Sequence, residues 1–357
     1  MSDWIDALVK AGECGVPAVL VTVVAAKGSV PRGAGTRMVV AADAVAGTIG
    51  GGHLEWQAIP IARELVAGAG GIALHRFALG ASLGQCCGGA VQLLFEPVRR
   101  NPAWLDALRR ARAAGGDVVL VTAVRGNTDG DRLVVAAAHT WGTLGAAARD
   151  ERAVALARAM LAGREASRLV ILADDPAAGE RAEYFVDVVR PPDFDVVLFG
   201  AGHVGRALVN VLAPLSCRIT WVDSRDDAFP AAVPGNVTRV DTDAPEAEVA
   251  AAPAGAYFLV MTHSHALDEQ LVGAILARAD FAYFGLIGSL SKRRQFERRL
   301  EARGVPRSRL AAMTCPIGLA GIAGKEPEVI AIAVAAEILQ VRSGQAAAQA
   351  VRGAQRA

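Results

Sequence analysis

DVVLFGAGHVGRALVNVLAPL, residues 195–215, runs from a short apolar stretch through a glycine turn into a segment with helical apolar spacing. The apolar stretch reads as a buried strand and the segment after the turn as an amphipathic helix. Gly200, Gly202 and Gly205 sit at the spacing G-x-G-x-x-G between the two, and Asp223 ends the next strand candidate, RITWVDS (218–224). Glycines at this spacing let the backbone approach a diphosphate, whose charge meets the free N–H groups and dipole of a helix N-terminus. An acid at Asp223 would accept from a ribose 2′-hydroxyl and repel a 2′-phosphate. His203 places an imidazole beside the phosphate position. The competing reading is a turn that packs tightly and holds no nucleotide.

Working outward, the strand–helix alternation continues. VTRVD (237–241), AYFLVMTH (256–263) and YFGLIGS (283–289) read as strands, with helices near 267–278 and 291–303 and an apolar helix from Glu326. This alternation predicts a Rossmann-like, doubly wound parallel sheet over 194–343, with 344–357 as a frayed or weakly helical tail. His263 and His265 follow a strand at its carboxyl end, where open α/β sheets bind ligands. With Asp268 they are also metal-ligand types, although no third set of ligands stands at a matching spacing.

Pro191-Pro192 punctuates the chain. Residues 1–190 before it read as a mixed α/β domain. An amphipathic helix opens it, with Trp4, Ile5, Leu8 and Val9 on one face. Strand candidates are 18–26, 37–42, 73–79 and 90–96, with a helix near 53–66; then 117–124 and 132–138 as a hairpin about 126–130, a helix over 143–162, and 182–191. No internal repeat is evident.

Composition excludes several classes. Of 357 residues, 53% are hydrophobic, too many for a disordered chain. The net charge of +1 gives no global pull toward nucleic acid or anionic membrane. The longest apolar runs, 16–26 and 329–336, fall short of the roughly 20 residues that span a bilayer. The N-terminus lacks a basic region of signal-peptide type. Five cysteines, an odd number, argue against a disulfide framework. A cytoplasmic protein with no nucleic-acid or membrane partner is expected.

Chemistry concentrates in three glycine-rich segments of the first domain. GSVPRGAGTR (28–37) carries Arg32 and Arg37. GTIGGGHLE (47–55) sets Gly50, Gly51 and Gly52 before a helix. Both have the ingredients of an anion nest, and Glu55 is alternatively a helix-start carboxylate. LGQCCGG (83–89) flanks Cys86 and Cys87 with glycines, which suits an exposed thiolate that binds soft metal, carries sulfur or acts as a nucleophile. Cys14, Cys217 and Cys315 read as buried, inert cysteines.

GSVPRGAGTRMVV (28–40), GTIGGGHLE (47–55), LGQCCGG (83–89) and LFGAGHVGRAL (198–208) together resemble the XdhC/CoxI family of xanthine dehydrogenase accessory proteins. VMTHSHALD (260–268), GLIGSLSKRRQF (285–296) and CPIGLAGIAGKEPEVIAIAVAAEIL (315–339) fit the same pattern, so the resemblance spans nearly the whole chain. One departure is Lys325, where relatives often carry a Thr N-cap. The resemblance implies a chaperone without turnover of its own. It would bind the molybdenum cofactor (molybdopterin), hold it while a cysteine desulfurase exchanges an oxo ligand for sulfur, and deliver it to apo-xanthine dehydrogenase. Family loops show one cysteine before the paired glycines, which makes Cys87 the candidate molybdenum contact. Arg32, Arg37 and the glycine N–H groups would take the pterin phosphate. The Rossmann set Gly200, Gly202, His203, Gly205 and Asp223, with His263 and His265, would hold that phosphate or a nucleotide. A homodimer is expected on general grounds. Two other readings compete: an NAD(P)-dependent oxidoreductase using the Rossmann domain, and a metal hydrolase on His263, His265 and Asp268.

Overall fold

The computed structural model describes residues 4–68, 70–79, 88–98, 102–113, 115–125, 132–174 and 181–354. The chain divides into two compact units, Met1–Pro191 and Pro192–Ala357.

The first unit is built twice from one pattern. Its first half runs α1 (Trp4–Glu13), β1 (Ala18–Lys27), β2 (Arg37–Ala41), β3 (Val45–Gly47), α2 (Gly52–Ala67), β4 (Ala73–Leu79) and β5 (Gly89–Val98). Its second half runs α3 (Ala103–Ala113), β6 (Val118–Arg125), β7 (Arg132–Val135), β8 (Thr140–Gly142), α4 (Ala147–Gly163), β9 (Arg168–Asp174) and β10 (Arg181–Val189). The strand orders are β3-β2-β1-β5-β4 and β8-β7-β6-β10-β9, the same topology in each. All pairs within these sheets are antiparallel. The register repeats too: Thr22 faces Arg37 in one half, and Thr122 faces Arg132 in the other. The expectation of no internal repeat is therefore corrected.

Each sheet covers one face with its own helix. Leu54, Ala58 and Ala62 of α2 pack on Val19, Val21 and Leu93. Ala153, Ala157 and Met160 of α4 pack on Val119, Val121 and Tyr184. The other strand positions meet in a shared core that joins the halves, with Ile5 and Leu8 of α1, Leu105 and Leu108 of α3, Leu20, Val98, Leu120 and Val134. Period-2 alternation thus gives every central strand two apolar faces, which is why these strands read as unbroken apolar runs.

Two buried ion pairs tie the halves together reciprocally. Arg37 of β2 pairs with Asp187 of β10, and Arg132 of β7 pairs with Glu96 of β5 at 2.5 Å. Each arginine lies under the tryptophan of its own half, Arg37 4.3 Å from the Trp4 ring and Arg132 4.1 Å from the Trp104 ring. Trp4 and Trp104 stack on each other at 6.5 Å.

The second unit has β11 (Phe194–Phe199), α5 (His203–Leu212), β12 (Cys217–Asp223), β13 (Val237–Asp241), α6 (Glu246–Ala251) and β14 (Tyr257–Val260). After these come α7 (His265–Ala277), β15 (Tyr283–Leu286), α8 (Leu290–Ala302), α9 (Arg307–Leu310) and α10 (Pro327–Ala354). Its sheet is parallel in the order β13-β12-β11-β14-β15. Leu208 and Leu212 of α5 and Val334 and Ile338 of α10 cover one face. Leu271 and Ile275 of α7 with Phe296 and Leu300 of α8 cover the other. This is the Rossmann-like doubly wound sheet, reached after a mixed α/β N-terminal region. The last helix continues to Ala354, so of the two expectations for the tail the helical one holds over 344–354.

Candidate functional site

The described parts of the three glycine segments of the first half converge at one end of its sheet. GSVPRG leaves β1 there, the triple glycine leads into α2 there, and β5 starts there at Gly89. A Cβ on Gly89 would run into the carbonyls of Lys27 and Ser29, so the two backbones touch only because the residue is glycine. Gly50, at φ 129°, lies against Pro31: a Cβ there would stand 2.5 Å from the proline Cγ. Arg32, next in the chain, is exposed and makes no ion pair among the described residues. Cys86 and Cys87 lie outside the described residues; the chain re-enters the description at Gly88, directly after Cys87.

The nest in GTIGGGHLE already holds an anion of its own. The Glu55 carboxylate accepts from the N–H groups of Ile49 (3.0 Å) and Gly51 (2.8 Å) and from Thr48 Oγ1 (2.5 Å). Thr48 Oγ1 accepts in turn from Gly50 N–H at 3.1 Å. Gly50 and Gly51 therefore shape the loop and do not offer their N–H groups outward, whereas Gly52 opens α2 with no such partner among the described residues. The helix-start role for Glu55 is the one the geometry supports.

Beside this loop stands a residue pair that sequence reasoning missed. Trp56 is 69% exposed, the most exposed large apolar side chain among the described residues. Its ring meets His53 at 5.0 Å, and Gln57 approaches His53 Nε2 at 3.4 Å. A tryptophan three residues after a histidine, inside the helix candidate at 53–66, was the signal available in the sequence.

Arg37 corrects the expected arginine pair. It is 8% exposed, donates to the Gly35 carbonyl at 3.1 Å and is ion-paired with Asp187, which also accepts from Ser167 at 2.7 Å. Its charge is neutralised inside the fold, and Arg32 alone of the two faces solvent.

In the second unit the fingerprint has its expected place between β11 and α5, beside the end of β14, where the strand order reverses. Gly205 lies under the Gly200 carbonyl, too close for any Cβ. His203 opens α5 and is exposed, as are His263 and His265 before and at the start of α7; Gly202 stands in the N-cap position of α5. Ser264 caps α7, its side chain accepting from Leu267 N–H.

Asp223 differs from the expectation. It is 6% exposed and accepts from Ala201 N–H at 2.6 Å, from Arg225 N–H and Nε at 3.0 Å each, and from Arg225 Nη2 at 2.8 Å. Burial alone would raise its pKa, but these hydrogen bonds and the guanidinium charge outweigh it and hold the carboxyl at about 2. Asp223 is an internal strut between the fingerprint turn and Arg225. The group beside the ribose position that keeps solvent contact is the Arg225 cation, 40% exposed, so repulsion of a 2′-phosphate no longer follows.

Asp268 is also internal. Fully buried, it accepts from Thr262 Oγ1 at 2.7 Å and pairs with Lys292 Nζ at 2.6 Å, which also donates to the Ile287 carbonyl at 2.9 Å. Among the described residues no group of three His, Cys, Asp or Glu side chains is placed to hold a metal, which removes the basis of the hydrolase reading. Cys217 and Cys315 are buried and free; burial pushes the Cys217 thiol up to about 11. Cys14, expected to be buried, is exposed. No helix of the described residues is long and apolar enough to cross a membrane.

The fold and site thus define a two-unit protein. A duplicated antiparallel unit carries a crown of glycine loops at one end, and a Rossmann-type unit follows it. The family model of the XdhC Rossmann domain matches residues 196–338, and that of the XdhC and CoxI family matches residues 12–78. The chain thus carries matches to both models of this family, one in each unit. It is 32% identical over 149 residues to the uncharacterised protein YqeB of Escherichia coli (strain K12), a match that takes in 42% of this chain and 27% of that protein. The solved structure of a xanthine dehydrogenase from Bacillus halodurans shares the fold, with a TM-score of 0.65 over 96% of each chain at 20% identity.

Proposed function

We propose that this protein is an accessory factor for the maturation of xanthine dehydrogenase, with the molybdenum cofactor as its cargo. It binds the pyranopterin, holds it during sulfuration by a cysteine desulfurase and passes it to the apo-dehydrogenase. The observation that carries this reading is the convergence of segments 28–33, 50–52 and 88–89 at one end of the first sheet.

The residues at that end fit the chemical parts of the cargo. Arg32, exposed and without an ion pair among the described residues, offers a guanidinium to a phosphate. His53 and Trp56 offer a flat surface to a bicyclic ring. Gly52 N–H at the start of α2 adds a donor. Cys86 and Cys87, which precede Gly88 in the sequence and lie outside the described residues, are of the soft ligand type that molybdenum or a transferable sulfur takes. The role asks the chain to bind, shield and release, with no turnover of its own.

The test is the molybdenum and pterin content of the protein purified from a host that makes the cofactor. Near-stoichiometric cofactor in the wild type is expected, with loss in the Cys86→Ala/Cys87→Ala double variant and in Arg32→Ala at unchanged melting temperature. Absence of cofactor from the wild type under saturating supply would overturn the reading. Retention in the cysteine variant alone would remove the thiols from the site.

A further inference from the structure

The second half of the first unit contains a recess of about 800 Å³, a volume typical of small-molecule sites. It lies among the last turns of α3 and α4, the Gly116–Asp117 entry to β6 and the turn between β7 and β8. Because Val135 pairs with Val119, this turn stands at the start of β6, the end of the sheet opposite the one that matches the glycine crown. Five of its twelve lining residues are alanines. Within it His139 and Trp141 stack, ring centroids 5.6 Å apart and planes 18° from parallel. Arg110 and Arg158 line it and hold no ion pair among the described residues, while Asp117 stands 3.9 Å from Arg190.

The duplicated half provides an internal reference. Lys10 and Arg63 stand where Arg110 and Arg158 do, so both halves carry cations at this end. The aromatic pair is particular to the second half: β3 has Ala46 at the middle position where β8 has Trp141. An apolar occupant would desolvate two guanidiniums that hold no ion pair among the described residues. An anion without a ring would leave the stacked pair uncovered.

We infer that this recess binds a planar heteroaromatic ring bearing a phosphate, with the ring on the His139–Trp141 pair and the phosphate between Arg110 and Arg158. Aromatic faces take flat heterocycles with little demand on sequence-specific hydrogen bonds, and the arginine fork matches phosphate oxygens. The inference is independent of the maturation role, because none of the glycine-crown residues lines the recess.

The probe is flavin mononucleotide, titrated into the full-length protein and followed by its fluorescence. Riboflavin presents the same ring without the phosphate. Binding of the mononucleotide in the micromolar range is expected, with riboflavin weaker by about tenfold or more. Arg110→Ala/Arg158→Ala, His139→Ala and Trp141→Ala are each expected to weaken the mononucleotide by about tenfold or more, whereas Lys10→Ala/Arg63→Ala leaves it unchanged. His139 and both arginines are exposed, so their variants keep the test intact if Trp141→Ala fails to fold. Equal affinity for the two flavins, binding that survives the recess variants, or no binding up to about 1 mM would each overturn the inference.

Discussion

The two halves of the N-terminal unit share a scaffold and differ at their loops. GTIGGGHLE (47–55) and GTLGAAARD (142–150) occupy the same place before α2 and α4. Both keep an acid three residues into the helix that closes the loop. Glu55 takes the Thr48 hydroxyl and the Ile49 N–H, and Asp150 takes the Thr143 hydroxyl at 2.7 Å and the Leu144 N–H at 2.6 Å. What both halves keep is what the fold needs. What only the first half keeps is Gly51, Gly52 and His53, against Ala146, Ala147 and Ala148. Gly51 has φ 75°, while Ala146 is extended at φ −151°. The left-handed backbone has thus been lost where no ligand is proposed and kept where one is.

The largest effect should come from breaking what the halves share. Removing one partner of a buried ion pair strands the other charge and costs roughly 3–5 kcal/mol. Arg37→Met and Arg132→Met should both fall in that range in urea denaturation. Arg37 should lose more, because Gly35 and Ser167 add hydrogen bonds to its pair. Burial pushes the Glu96 carboxyl up and the Arg132 guanidinium down, each opposed by its partner's charge, so the second pair starts from weaker ground. A loss below about 1 kcal/mol for either arginine would show that the pairs do not hold the halves together.

The Rossmann unit offers a contrasting arginine–acid pair, local in sequence and open to solvent on one side. The Asp223 carboxyl is held at about 2, below its ordinary 3.8. A depressed carboxylate contributes stability that is complete above the unfolded value and lost as pH falls through the folded one. The window is therefore about pH 4 down to about pH 2, with at most about 2 kcal/mol at stake after allowance for the exposed guanidinium. Asp223→Asn should flatten that acid limb in pH-dependent unfolding; an unchanged limb would remove Asp223 from its cause.

Removing the shared carboxylates comes next. Glu55→Ala and Asp150→Ala each leave loop N–H groups without an acceptor, at about 1–2 kcal/mol. Only Glu55→Ala is expected to lower cofactor content as well. Equal loss of cofactor from both variants would move the proposed site away from the glycine crown.

The Rossmann half was legible because its signals are local. A strand, a glycine turn and a helix stand within twenty-odd residues, and the parallel sheet follows from their alternation. The duplication was not legible, because its shared residues are scattered: Trp4 and Trp104, Arg37 and Arg132, and the G-T-x-G turns, with little else alike between them. Arg37 looked like a phosphate ligand because its partner, Asp187, is 150 residues away. Asp223 looked like a ribose acceptor because the sequence shows an acid and an arginine two apart but not that they close on each other. Helix α3 escaped notice in a strongly charged segment, and three-residue β3 and β8 are too short to show a period. The pair His53–Trp56 escaped because an exposed ring is visible only once the helix has a face.

The smallest effect separates backbone from site. Gly50 and Gly145 stand at the same place in the two loops, at φ 129° and 86°. A Cβ at Gly145 meets nothing within 4 Å, so Gly145→Ala pays only for the left-handed backbone, about 1 kcal/mol. At Gly50 the new methyl would stand 2.5 Å from Pro31 Cγ, and φ 129° lies outside the left-handed helical well that alanine tolerates. Gly50→Ala must therefore displace the loop that carries Arg32, and cofactor content should fall further than the melting temperature would suggest. Gly145→Ala should shift the melting temperature slightly and leave cofactor content alone. If both variants keep the cofactor, the Pro31–Gly50 contact is scaffold only, and the glycines of the first half are retained for the turn rather than for the cargo.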